Sequence, residues 1–347
     1  MTQYEKPPEL YAGLRLHQNE HTGGCSPKVI EALGRLTPEQ IAVYPPYSAA
    51  VDACARNVGV TPEELLLVNG LDEGILAIAI AWLRTQADGL VPEVIIPKPA
   101  FEVFEVAASV VGASVVEVMP TPDFSFPLDD VLAAITARTR VIIVTNPNNP
   151  TGVATSRAAI KTLAKSVPPG AIVFVDEAYI DFGGETFVPD LRSFPNVVVG
   201  RTFSKAYGLA GLRAGLLLGQ PGTLEALRNA VPVYSINVAA AVAVVAAIED
   251  TAHKAEYLRQ TAASKELLYA ACNRWKMHYW PSETNFVLVR TGKHTARILS
   301  GTRERGIYLR DRSSEPGCAN CIRITTGIIA HTERLIAAVE DILCAAR

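Results

Sequence analysis

Lys205 lies in the stretch RTFSKAYGLAGLRAG, residues 201–215, after the hydroxyl residues Thr202 and Ser204. A lysine on a solvated helix face keeps polar company. This one is followed by Ala206, Gly208, Ala210, Gly211, Ala214 and Gly215, with Arg213 among them. Small residues let backbone and ligand approach closely, so the stretch suits a bulky anion that Lys205 touches. Two more polar clusters, TNPNNPTG (145–152) and VDEAYIDF (175–182), stand at the ends of β-branched runs. A Schiff-base amine, a carboxylate, and hydroxyl and guanidinium donors form the set that an aldehyde cofactor with a ring nitrogen and a phosphate requires. On this reading Lys205 is the nucleophile and Asp176 holds the ring nitrogen protonated. Asn149 and Tyr179 donate to the ring hydroxylate. Arg213 grips the phosphate bidentately, with Thr202 and Ser204 adding hydroxyls. The segment NGLDEGILAIAIAWL (69–83) supplies a glycine and then a helix start, whose unpaired N–H groups suit an anion.

These residues need strands to place them. EVIIP (93–97), ASVVEVM (113–119), TRVIIVT (139–145), AIVFVD (171–176), NVVVG (196–200) and RAGLLLG (213–219) read as buried strands. Helical patterns such as FEVFEVAASVVG and TSRAAIKTLAKS lie between several of them. The alternation predicts an α/β domain with a mainly parallel sheet sandwiched by helices. Ligands bind such sheets at the carboxyl ends of strands, where all three polar clusters fall. Two long helical stretches follow, INVAAAVAVVAAIED and TAHKAEYLRQTAASKELLYAACNRW. After them come NFVLVR, helical TARILSGTRERG, strands IYLR and CIRIT, and a last helix from about 332. This tail predicts a smaller α+β domain. The expected division is a large domain over 40–245 and a small one built from 1–39 and 246–347. The first 40 residues show no sheet pattern of their own.

Composition excludes several classes. Of 347 residues, 49% are hydrophobic and 19% charged, which argues against disorder. The 32 basic and 35 acidic residues give a net charge of −3, with no signature of nucleic-acid binding. No apolar run is long enough for a membrane helix, and MTQYEKPPEL has no basic-then-apolar signal pattern. The expectation is a soluble, cytoplasmic protein. Six scattered cysteines suit reduced thiols. Cys318 and Cys321 form a lone C-x-x-C without the further ligands of a structural zinc site.

The motifs together resemble the fold-type-I, pyridoxal-phosphate-dependent aminotransferases, and within them the histidinol-phosphate aminotransferase family. In family order the chain carries QNE, VYP, GLDEGI, PAFEVF, NPNNPTG, VDEAYIDF, RTFSKAYGLAGLRAG, YLRD and CIRITTG. The resemblance implies an aspartate-aminotransferase-like fold and a pyridoxal 5′-phosphate cofactor. It implies a ping-pong transfer between an amino donor, histidinol phosphate first, and 2-oxoglutarate. Lys205 would be the aldimine lysine, Asp176 the pyridine partner, and Asn149 and Tyr179 the contacts of the ring hydroxyl. Phe101 would stack on the ring, where the family often has tyrosine. Leu71 and Asp72 would offer backbone amides to the phosphate, beside Thr202, Ser204 and Arg213. Tyr44 would reach that phosphate from the neighbouring subunit, which implies a homodimer. Arg323 and Arg310 match arginines that hold the substrate's acidic group.

The N-terminal motif departs from the family pattern. After Asn-Glu the family usually has tyrosine or Asn-Pro, and this chain has His21. In the histidinol-phosphate enzymes that tyrosine helps bind the substrate phosphate. Histidine can donate a hydrogen bond and carry charge near neutral pH, or it can mark a different amino donor. HQNEH (17–21) also fits an inverted zinc-protease pattern, which needs a helix, and the TGGCSP that follows breaks one. No metal is expected. GLAGLRAG is not a dinucleotide-binding G-x-G-x-x-G. Three functional readings therefore stand: a transaminase for histidinol phosphate or for an aromatic or other amino acid; a related amino-acid-phosphate decarboxylase; and a cofactor-binding regulator. The last usually carries a DNA-binding domain, for which the chain has no spare length.

Overall fold

The computed structural model describes residues 12–85 and 89–344. In chain order its strands are β1 (Leu14–Arg15), β2 (Leu65–Val68), β3 (Glu93–Pro97), β4 (Ser114–Val118), β5 (Thr139–Thr145), β6 (Ile172–Asp176), β7 (Val197–Thr202) and β8 (Gly215–Leu218). They continue as β9 (His278–Tyr279), β10 (Phe286–Arg290), β11 (Ile307–Tyr308), β12 (Arg310–Asp311) and β13 (Cys321–Thr325). Strands β2 to β8 form one sheet in the order β2-β8-β7-β6-β5-β3-β4. All run parallel except β8, which is antiparallel to both neighbours. The predicted strands over 93–219 are all present, with ends moved by a few residues.

Alternate residues of each strand enter different cores. Ile142, Val144, Val173 and Val175 face the helices Pro27–Gly34, Ser48–Val58, Arg157–Ser166 and Val238–Glu249. Val141, Ile143, Ile172 and Phe174 face Leu71–Trp82 and Val103–Val110. Burial on both faces explains why these strands read as continuous apolar runs.

The reversal of β8 shapes the site. Thr145 pairs with Asp176, Asp176 with Gly200, and Thr202 with Gly215. The carboxyl ends of β5, β6 and β7 thus share an edge with the start of β8, which brings Arg213 there. Val68 at the end of β2 pairs with Gly215, so the helix Leu71–Trp82 begins at the same edge.

The second unit holds an antiparallel sheet, β12-β13-β10-β9, with helices Thr251–Trp275, Thr295–Glu304 and Ile329–Cys344. The N-terminal region divides between the units. Leu14 and Leu16 join the small core, and β1 pairs in parallel with β11, a pairing that the sequence did not signal. Val29, on Pro27–Gly34, joins the large core instead. Within IYLR the chain changes partner, so β11 pairs with β1 and β12 with β13. Cys318 and Cys321 are buried free thiols packed with Phe124, Trp280 and Leu288. No helix among the described residues is long and apolar enough to cross a membrane.

Candidate active site

A cavity of about 370 Å³ opens at the shared strand edge, between the two sheets. Leu71, Asp72, Phe101, Asn149, Asp176, Tyr179, Thr202, Ser204, Lys205, Arg213, Arg310 and Arg323 all line it. Residues scattered over more than 250 positions of sequence therefore meet at one place.

Asp176 ends β6 and is buried. The Ala178 N–H donates to its Oδ1 at 2.9 Å. Burial pushes its pKa up to about 7, with Asp72 and Glu177 adding to the rise, while the Ala178 amide and Lys205 oppose it. Glu177, the next residue, is not on the cavity wall and pairs with Arg201 at 2.9 Å. Lys205 Nζ donates to the Gln18 carbonyl at 3.1 Å and lies 5.7 Å from the Tyr179 ring centre.

The helix Leu71–Trp82 starts with no side-chain cap, leaving its first amides for a ligand. Arg213 stands beside that start in the left-handed region (φ 56°), donating to Asp72 Oδ2 at 2.8 Å and to the Ala210 carbonyl at 3.1 Å. Gly70, at φ 74°, leaves the room this guanidinium occupies, since a Cβ there would overlap it. Ser204 and Thr202 also line the cavity, so hydroxyls stand on its wall with the guanidinium, donors of the kind that can hold a phosphate.

Arg323 faces the cavity because it alternates along β13 with Ile322 and Ile324, which face the small core. It is buried and donates to Asn149 Oδ1 at 2.5 Å and to the His17 carbonyl at 2.7 Å. Arg310 is its register partner on β12.

Two expected residues lie elsewhere. Tyr44 is 74% exposed and stacks on Tyr234, with centroids 4.2 Å apart. His21 is not on the cavity wall; it stacks on Tyr257 at 3.3 Å and on His253 at 5.4 Å. Burial, with His253 adding to it, lowers the His21 pKa to about 3. These surroundings disfavour a charged His21 near neutral pH. The segment 17–21 is not helical, so it lacks the geometry of the inverted zinc-protease pattern.

The wall instead receives His17, Gln18, Asn19 and Glu20 from this segment, with Glu102 and Arg312. Asn19, at φ 55° and buried, ties the segment down. It donates to Tyr179 Oη at 2.9 Å and from its backbone N to Thr325 Oγ1 at 3.1 Å, and its carbonyl accepts from Asn285 at 3.1 Å. His17 is held down to about 4 by burial and by Arg15, Arg310 and Arg323. QNE marked the segment, but nothing in the sequence marked Glu102 or Arg312.

Known proteins resemble this chain in sequence and share its fold. Residues 12–339 match the family model for aminotransferase class I and II. A histidinol-phosphate aminotransferase of Moorella thermoacetica is 33% identical over 337 residues, covering 95% of this chain and 85% of the relative. The structure of histidinol-phosphate aminotransferase from Sinorhizobium meliloti in complex with pyridoxal-5′-phosphate superposes with a TM-score of 0.85 at 25% identity, covering 96% and 92% of the two chains. Aspartate aminotransferase from Thermus thermophilus with maleate, at 21% identity, shares the fold, with a TM-score of 0.78 over 95% and 91%. The chain belongs to the class I and II aminotransferases.

Proposed function

We propose that the chain is a pyridoxal-phosphate-dependent transaminase, with histidinol phosphate as amino donor and 2-oxoglutarate as acceptor in a ping-pong cycle. The observation that carries this reading is the convergence of Lys205, Asp176 and Arg323 in one cavity. When bound, the cofactor supplies an aldehyde that condenses with amines and a ring that takes up electrons released at the substrate Cα. The donor set fits it: Arg213, Ser204, Thr202 and the amides at Leu71 and Asp72 would hold the phosphate, and Phe101 would cover one ring face. Buried Asp176 would hold the ring-nitrogen proton, whose positive charge offsets the burial of its carboxylate. Asn149 and Tyr179 would position the ring hydroxyl. Lys205 Nζ would carry the proton between the substrate Cα and the cofactor's C4′ carbon. Arg323 would hold the substrate's acidic end, because a guanidinium fork accepts carboxylate or phosphate, with Arg310 assisting where that end is a phosphate.

Tyr44, exposed and away from its own cavity, supports a homodimer in which it serves the partner's site. A cytoplasmic location is part of the same reading; among the described residues no helix is long and apolar enough to cross a membrane.

The test is a screen of amino donors against 2-oxoglutarate with purified protein. Amino transfer from histidinol phosphate, a visible cofactor band and borohydride fixation on Lys205 are expected. Lys205→Ala is expected to keep some cofactor and to lose transfer. A colourless protein that gains no visible band with added cofactor overturns the reading. Release of carbon dioxide without need of 2-oxoglutarate would make it a decarboxylase.

A further inference from the structure

One wall of the cavity carries a charge cluster larger than a single acidic group needs. Arg310, Arg312 and Arg323 converge there, with Glu102 on the same wall. Arg312 is buried and bound twice, 3.2 Å from Glu102 and 3.1 Å from Glu315. Arg310 is half-buried and meets Glu102 at 3.7 Å. Arg312 is therefore locked by two carboxylates, and Arg310 is the guanidinium able to change partner. Glu102 and Glu315 leave the cluster a net single positive charge. One fork satisfies the two oxygens of a carboxylate, which Arg323 provides alone. A phosphate dianion has three oxygens and twice the charge, so it calls for a second fork.

We propose that Glu102 is the counter-ion that sets ligand selectivity in this pocket: it retains Arg310 when a carboxylate is bound and yields it to a phosphate. Glu102 is thus a positioning residue that acts through Arg310. The proposal rests on the transaminase reading and adds a discriminating residue to it. In a ping-pong cycle that takes both acid types in turn, such a counter-ion lets one pocket serve each. A permanently free Arg310 would hold phosphate too long, and a permanently paired one would leave it half-bound.

Holoenzyme is the material for the test, because the cofactor fills its own phosphate site. Calorimetric titration at pH 8 compares inorganic phosphate with the monocarboxylate 3-phenylpropionate. Glu102→Gln is expected to tighten phosphate about tenfold and to leave the carboxylate within about twofold, as for loss of one nearby opposing charge. Arg310→Gln is expected to weaken phosphate about tenfold and to spare the carboxylate, as for loss of one charged partner. In the double variant the gain from Glu102→Gln disappears. General loosening of the wall would weaken both ligands and leave their ratio unchanged. An unchanged ratio in Glu102→Gln overturns the proposal, and the cofactor band and amino transfer of the same samples show separately whether the transaminase reading stands.

Discussion

Asp176 occupies a place that opposes its own charge until a cation arrives. Its pKa rises to about 7 from an ordinary 3.8, chiefly through burial. Because the folded value is the higher one, folding takes up a proton between about pH 4 and 7. The apoprotein therefore loses stability as pH climbs through that window, by roughly 4 kcal/mol once above it. Asp176→Asn removes the charge, so its apoprotein is expected to melt above the parent at pH 8, with a smaller gain at pH 5. The same variant is expected to slow amino transfer by orders of magnitude. Calorimetry at the two pH values checks the first claim. Turnover within about threefold of the parent, under ~0.7 kcal/mol of barrier, would remove Asp176 from the ring-nitrogen role. Arg323→Leu leaves a bound acid without its partner, at roughly 2–5 kcal/mol, so catalytic efficiency is expected to fall by about 30-fold or more in both half-reactions while the cofactor band persists. The meeting of Lys205, Asp176 and Arg323 in one cavity was legible because each stands in or beside a strand run. That His21 lies off the cavity wall was not legible, because spacing does not fix which way a side chain turns. Asn19 takes positive φ, and from there His17 and His21 go to different surroundings. Glu102 and Arg312 are 210 positions apart, a pairing that no local pattern announces.

At the level of elements, the parallel strands were legible because burial on both faces demands unbroken apolar runs. Three features were not. Strand β2 is four residues long, too short to separate from its surroundings, and β1 is two residues long, formed only because it pairs with β11. The direction of β8 was equally silent, although it delivers Arg213 to the helix start. That junction predicts a sharp sensitivity at Gly70. Its φ of 74° lies where an L-residue is strained, and a Cβ would overlap the Arg213 guanidinium. Gly70→Ala is expected to fold with a loss of roughly 1–3 kcal/mol of backbone strain, and to weaken cofactor binding about tenfold or more through the displaced arginine. Titration of apoprotein by visible absorbance measures it. Unchanged affinity would mean that Arg213 does not hold the phosphate.

The whole molecule leaves apolar side chains in water that a single chain has no use for. Ile41 is 64%, Val43 61%, Val233 81% and Tyr234 54% exposed, and Tyr44 stacks on Tyr234 in their midst. Exposed apolar side chains gathered in one patch are the mark of an association surface. A homodimer would cover it and would carry Tyr44 out of its own chain's surface into the partner's cavity. Two substitutions separate these roles. Val233→Asp puts a charge into the covered face, and sedimentation is expected to show monomers at concentrations where the parent is dimeric, with cofactor lost on dilution. Tyr44→Phe keeps the ring and its stacking but removes the hydroxyl. It is expected to remain dimeric while binding the cofactor several-fold more weakly, about 1 kcal/mol for one hydrogen bond. A parent protein that sediments as a monomer and transfers amino groups at full rate would show that the cavity is complete within one chain. Tyr44 would then have no part in it.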